Sequence, residues 1–118
     1  MKEVWKPIKD YEDLYEVSNL GNIRSHHFHN GTYNRILKPR KVKDGYLMVA
    51  LYKNKKCKNL QVHTIVANTF ITNKNNYKEV NHKNFDKTDN RADNLEWCTR
   101  HDNVLHYFRN NNKERRLV

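Results

Sequence analysis

Val80-Asn81-His82-Lys83-Asn84-Phe85-Asp86-Lys87-Thr88-Asp89-Asn90-Arg91-Ala92-Asp93-Asn94-Leu95-Glu96-Trp97-Cys98-Thr99-Arg100-His101-Asp102-Asn103 is the stretch on which the reading of this chain turns. Within it, His82 is followed by Asn94 twelve positions on and by Asn103 twenty-one positions on. The pattern around them predicts a strand near Glu79–His82, a polar loop over 83–93, and a second strand at Leu95–Cys98. A helix should then start after Thr99, a good N-cap, and run to about Phe108, leaving a polar, basic and frayed tail. No one of these residues is informative alone, because a lone His is usually structural and Asn-rich loops are usually turns. The joint spacing is what carries information.

Working outward, the chain has 118 residues, enough for one small domain or two submodules sharing a thin core. Its net charge is +10 and its pI near 9.7, which favours a polyanionic partner. The excess is concentrated: residues 35–58 carry nine basic side chains against one acid, Asp44, a net +8. The bland alternative for that stretch is a solvated face on an ordinary hairpin. No apolar run approaches the roughly 20 residues that span a bilayer, and Met1-Lys2-Glu3-Val4-Trp5 lacks the apolar run of a signal peptide. The expected location is therefore the cytoplasm, of a cell or of an infected host. Cys57 and Cys98 have no Cys-x-x-Cys companions, so no zinc site of the usual spacing is expected, and two free thiols are favoured over a disulfide.

Upstream, the pattern is of short strands and turns. Leu14 to Ser18 and Ile23 to Phe28 read as strands about a Gly21-Asn22 turn, and Asn30-Gly31 is a strong hairpin signal. Arg35 to Lys38 reads as a further strand ended by Pro39. Tyr46-Leu47-Met48-Val49-Ala50-Leu51-Tyr52 reads as a central strand returning through Asn54-Lys55-Lys56 into Asn59 to Val62. The prediction is one small antiparallel sheet with a basic rim. Val62, Ile65, Val66, Thr69 and Phe70 recur at helical spacing, which predicts a short helix over 63–71. His63 at its start reads as structural, with lining a functional site as the alternative; His26, His27 and His29 read as solvent-facing, His101 and His106 as surface or core edge, and Trp97 as core.

The 80–103 stretch resembles the HNH, or His-Me finger, nuclease motif, with Asn in the last place. The resemblance implies an α+β fold in which a ββα-metal unit (59–118) follows a small β-rich, DNA-binding module (1–58). It implies a metal-dependent DNA endonuclease in which His82 is the general base and Asn94 braces the loop that orients it. It gives Asn103 as a metal ligand. The chemistry is consistent: imidazole titrates near neutral pH, so a neutral His82 can take a proton from water. A hard ion, Mg²⁺ or Mn²⁺, needs only one or two protein oxygens plus phosphate, which the amides of Asn81 and Asn103 can supply. Close relatives often carry Asp where Asn81 stands. A neutral amide binds a cation more weakly, so metal affinity should be reduced or lean on DNA phosphate.

The N-terminal part carries a second resemblance. Trp5-Lys6-Pro7-Ile8, Tyr15-Glu16-Val17-Ser18-Asn19 and Gly21-Asn22-Ile23-Arg24-Ser25 are similar to the modular motif of phage and intron-encoded HNH homing endonucleases. Many such enzymes continue into a helical DNA-binding region beyond the point where this sequence stops. Contact with double-stranded DNA is therefore expected from Arg24, Arg35, Lys38, Arg40, Lys41, Lys43, Lys53, Lys55 and Lys56, on phosphates. A monomer with one metal should cut one strand per event, and a dimer would cut both. The alternatives are a DNA-binding protein with a decayed centre, and a phage HNH nuclease of packaging or restriction.

Overall fold

Alternating burial builds the first sheet. The computed structural model describes residues 2–27, 31 and 34–116, with backbone alone for 107 and 110–116. Strands β1 (Trp5–Pro7), β2 (Tyr15–Ser18), β3 (Ile23–Ser25) and β4 (Arg35–Ile36) pair antiparallel in that order. Tyr15 and Val17 turn inward beside Ile23, while Glu16 and Arg24, paired across the strands, lie on the other face. The β2–β3 turn is closed by Ser18, whose Oγ accepts from the N–H groups of Leu20 (3.2 Å) and Asn22 (3.1 Å).

A second sheet orders β5 (Arg40–Lys41), β6 (Leu47–Lys53) and β7 (Lys56–Gln61). Val49 and Leu51 bury one face of β6, while Tyr52 on the other is exposed. Asn54 and Lys55 both adopt positive φ (52° and 63°), the mirror-image turn whose twist suits a tight hairpin. Helix α1 (Val62–Phe70) continues directly from β7. The third sheet is the ribbon β8 (Glu79–His82) and β9 (Leu95–Cys98), joined by a loop ending in a 3₁₀ turn at Ala92–Asn94 and followed by α2 (Arg100–Arg116).

One core unites these pieces. Ile8, Val17 and Ile23 belong to the same contiguous cluster as Val49, Leu51, Val80 and Leu95, with Val62, Ile65 and Val66 of α1 among them. Tyr15 adds a polar link, its hydroxyl accepting from the Tyr52 N–H at 3.0 Å. Trp97, packed against the core, donates its indole N–H to the Ile71 carbonyl at 3.0 Å. Burying a side chain such as Leu51 contributes roughly 1.5–3 kcal/mol.

The α+β class is as predicted and the β8–β9 ribbon stands where two strands were expected, but two small sheets stand upstream where one was expected. β3 ends at Ser25, and Phe28, His29 and Asn30 of the expected strand and hairpin lie outside the described residues. α1 begins one residue earlier than predicted, at Val62. α2 is the larger difference: it continues to Arg116 rather than stopping near Phe108. No Gly or Pro interrupts residues 100–116, so nothing local stops it. Both cysteines are free thiols, Cys57 exposed and Cys98 buried. β7 carries the chain through the 58/59 division without a break.

Candidate active site

Strand alternation divides the site between the two faces of the ribbon. His82 points toward α1, where its ring lies 5.0 Å from that of His63 and 6.0 Å from that of Tyr46. Glu79 and Asn81 point toward α2.

His82 is fully buried, and its position is set by Asn90. Asn90 Oδ1 lies 2.8 Å from His82 Nε2. An amide oxygen can only accept, so Nε2 carries the proton and Nδ1 keeps its lone pair. That Nδ1 meets no hydrogen-bond partner among the described residues. Burial lowers the His82 pKa below the ordinary histidine value, against the Asn90 hydrogen bond and the charges of Asp86 and Asp89, which raise it. His63 is pushed further, to about 4, by burial and by the neighbouring His82. Both rings are thus neutral at pH 7.

On the α2 face, two carboxylates orient two amides. Glu96 Oε1 accepts from Asn81 Nδ2 at 2.9 Å, across the ladder that pairs these residues. Glu79 Oε1 accepts from Asn103 Nδ2 at 3.2 Å. Carboxylates accept only, so each amide is turned with its nitrogen to the glutamate and its oxygen away. Both oxygens, Asn81 Oδ1 and Asn103 Oδ1, are buried without a hydrogen-bond donor among the described residues. Two buried oxygens lacking donors fit a hard divalent ion. Asn81 borders a cleft of about 320 Å³ lined also by Glu96, Asp102, His106 and Arg109.

Asn94 is buried in the loop. Its Oδ1 accepts from the Asn84 N–H (3.1 Å), and its Nδ2 donates to Asn84 Oδ1 and the Asp89 carbonyl (both 2.9 Å). Its own carbonyl accepts from the Lys83 N–H at 2.8 Å. These bonds give a loop without apolar filling a fixed shape. Phe85 stacks on His106 at 4.0 Å and ties the loop to α2.

Of the basic residues, Arg35, Lys38, Arg40, Lys41, Lys43, Lys55 and Lys56 are exposed. Lys53 is exposed too, but its Nζ donates to the Asp10 carbonyl at 2.5 Å. Arg24 is engaged, bridged to Glu16 at 2.7 Å and stacked 4.2 Å from the Trp5 ring. His26 also bridges Glu16, at 2.9 Å, while His27 is exposed. Sequence reasoning missed Asn90, Glu79, Glu96 and the place of Tyr46 beside His82, and favoured a structural His63 over the alternative of its lining the site, although it abuts His82. A signal for His63 existed: it falls one turn before Ala67 on the buried side of α1.

The ribbon and the start of the helix that carry this imidazole and these amides lie in the segment that matches the HNH endonuclease family, to which the chain belongs. The family model described as HNH endonuclease matches residues 60–105, and that of the NUMOD4 motif matches residues 3–52. The chain is 40% identical over 100 residues to the DNA endonuclease I-HmuI of Bacillus phage SP01, covering 85% of this chain and 55% of that protein. It is 43% identical over 114 residues to the uncharacterized HNH endonuclease L247 of Acanthamoeba polyphaga mimivirus, covering 92% of this chain and 27% of that one. A solved structure titled for DNA binding and cleavage by the HNH homing endonuclease I-HmuI matches with TM-score 0.78 at 34% identity. That match covers 97% of this chain and 65% of the other. The chain spans between 24% and 55% of the length of the curated relatives it matches.

Proposed function

We infer that this chain cleaves DNA by hydrolysing a phosphodiester bond, with His82 as general base and one divalent ion, Mg²⁺ or Mn²⁺, held by Asn81 and Asn103. The observation that carries the reading is the bare Nδ1 of a His82 whose Nε2–H is held by Asn90. Nδ1 takes the proton of the attacking water. The Asn90 oxygen keeps its bond to Nε2–H and steadies the imidazolium that forms. Because the ring is fully buried in the free chain, a side chain beside it must shift before water reaches Nδ1. The bound ion would supply Lewis-acid stabilisation of charge on the phosphate and the leaving oxygen.

Asn94 holds the loop so that base and amides keep their spacing. Arg35, Lys38, Arg40, Lys41, Lys43, Lys55 and Lys56 bind phosphates of double-stranded DNA, and Lys53 joins them if its tip leaves Asp10; Arg24 contributes mainly to the sheet. One centre per chain gives one cut strand per event. Relatives of the phage type favour action inside a host cell.

The test is a long genomic duplex incubated with the chain and Mg²⁺ or Mn²⁺, with and without chelator. Fragments or nicks that need the ion are expected. Cutting that persists in chelator would refute the metal role. One observation favours a second reading, DNA binding with a decayed centre: Asn81 is neutral where a carboxylate would bind the ion more strongly. DNA bound at low salt but left intact with either ion would support it.

A further inference from the structure

We propose that two glycine turns of the N-terminal motif, at 18–22 and 42–45, position the loop carrying Asn90 and so hold the His82 proton on Nε2. The motif would then be part of the catalytic machinery by positioning, in addition to any hold it has on DNA.

The contacts are backbone-close. At the first turn the Asn19 carbonyl accepts from the Ala92 N–H at 2.8 Å. Gly21, at φ +88°, lies so near the loop that a Cβ would sit 2.9 Å from the Asn90 carbonyl oxygen and 3.0 Å from Asn90 Cβ. At the second turn the Asp44 carbonyl accepts from Lys87 Nζ at 2.9 Å, and a Cβ on Gly45 would meet Lys87 Cδ at 3.3 Å. The loop between β8 and β9 is thus held at Asn90–Ala92 and at Lys87 by residues far away in sequence.

Asn90 needs that support. Its side chain is buried, its Oδ1 bonds His82 Nε2, and its Nδ2 meets no partner among the described residues. Nothing else within the side chain's reach fixes which way the amide faces. Turned over, it would donate Nδ2–H to a bare Nε2, and the proton would move to Nδ1. A base acting through Nδ1 would then be disabled. The close approach of Gly21 fixes the Asn90 backbone and so the distance from its amide to Nε2; a longer contact would weaken the oxygen's hold on the Nε2 proton.

The proposal rests on His82 being the base, yet its first readout does not need cleavage. Nitrogen–proton NMR of the His82 ring in the whole chain at neutral pH reports the tautomer. The intact chain should show the Nε2–H form, and Asn90→Asp, which keeps an acceptor oxygen, should retain it. Asn90→Leu and Gly21→Ala should shift the proton toward Nδ1. The single-turnover rate at saturating DNA should fall on the order of tenfold to a hundredfold, with DNA affinity unchanged. Gly31→Ala is the control: φ there is +80°, but no atom lies within 4 Å of an added Cβ, so it should change neither readout. The proposal is overturned by an Nδ1–H tautomer in the intact chain, or by Gly21→Ala signals that match those of Gly31→Ala. If Gly21→Ala does not fold, an unshifted tautomer in Asn90→Leu overturns it alone. A chain that cuts no DNA yet shows the expected tautomer shifts would refute the nuclease reading and leave the positioning intact.

Discussion

Asn81 and Glu96 face each other across the ribbon at 2.9 Å, and the pair sets what a charge at position 81 would do. Asn81→Asp would place a carboxylate in the cation site and lower the Mg²⁺ concentration needed for half-maximal cleavage. It would also set two carboxylates against each other in the metal-free chain, costing about 1 kcal/mol. A Mg²⁺ titration of cleavage with a thermal melt checks both, and an unchanged or higher Mg²⁺ requirement would count against Asn81 as a ligand. His63 makes a separate prediction. Its folded pKa of about 4 lies below the unfolded value of 6.5, so in that window the unfolded chain binds the extra proton. Its contribution is whole above pH 6.5 and is lost as pH falls toward 4, amounting to roughly 3 kcal/mol. Urea unfolding at pH 7 and pH 4.5 should show the loss, and a His63→Gln chain should not lose this part. The lowered pKa of His82 likewise places the rise of cleavage with pH below the ordinary histidine range, with a plateau at neutral pH. His82, Asn94 and Asn103 were singled out by their spacing, a joint signal, and they fall on the ribbon, its loop and α2. Asn90 was not: Asn84, Asn90 and Asn94 look alike locally, and only the folded loop brings one of them to Nε2. Glu79 and Glu96 act through cross-strand register and a helix contact, which no local pattern displays.

The polar loop between β8 and β9 shows how an element without apolar filling is held. Asn94→Ala would leave the Asn84 N–H and the Asp89 carbonyl without their partners. We expect a stability loss of about 2–3 kcal/mol and a larger fall in cleavage rate than in DNA affinity. Denaturation and single-turnover kinetics measure the two, and equal falls in rate and affinity would deny Asn94 an orienting role. Thr99 caps α2 by accepting from the Asp102 N–H at 3.0 Å, so Thr99→Ala should cost about 1 kcal/mol. β6 and β9 were readable because apolar alternation at period two matches their buried faces, whereas β8, with Val80 its one apolar residue, was read from the motif around it. The far end of α2 was not readable, since residues 100–116 hold no stop signal and the expected end rested on the polar, basic character of the tail after Phe108. The single sheet expected upstream of the ribbon became two, because strand pairing depends on tertiary contacts that no local pattern displays.

At the scale of the whole molecule, charge is distributed as the sequence shows, with the cations of residues 35–58 exposed. Binding to DNA should therefore weaken steeply with salt, and replacing Lys55 and Lys56 together by Gln should reduce the slope of log affinity against log salt by about two. An unchanged slope would move the contact elsewhere. A shared thin core was expected from the length of the chain; the place of α1 within it was not, because it needs tertiary contacts. The most direct test of His82 as base is supercoiled plasmid with Mg²⁺ or Mn²⁺, comparing the intact chain with a folded His82→Ala that still binds DNA. Metal-dependent nicked circles from the intact chain and none from the variant are expected. Nicking by His82→Ala at the intact chain's rate would contradict the assignment.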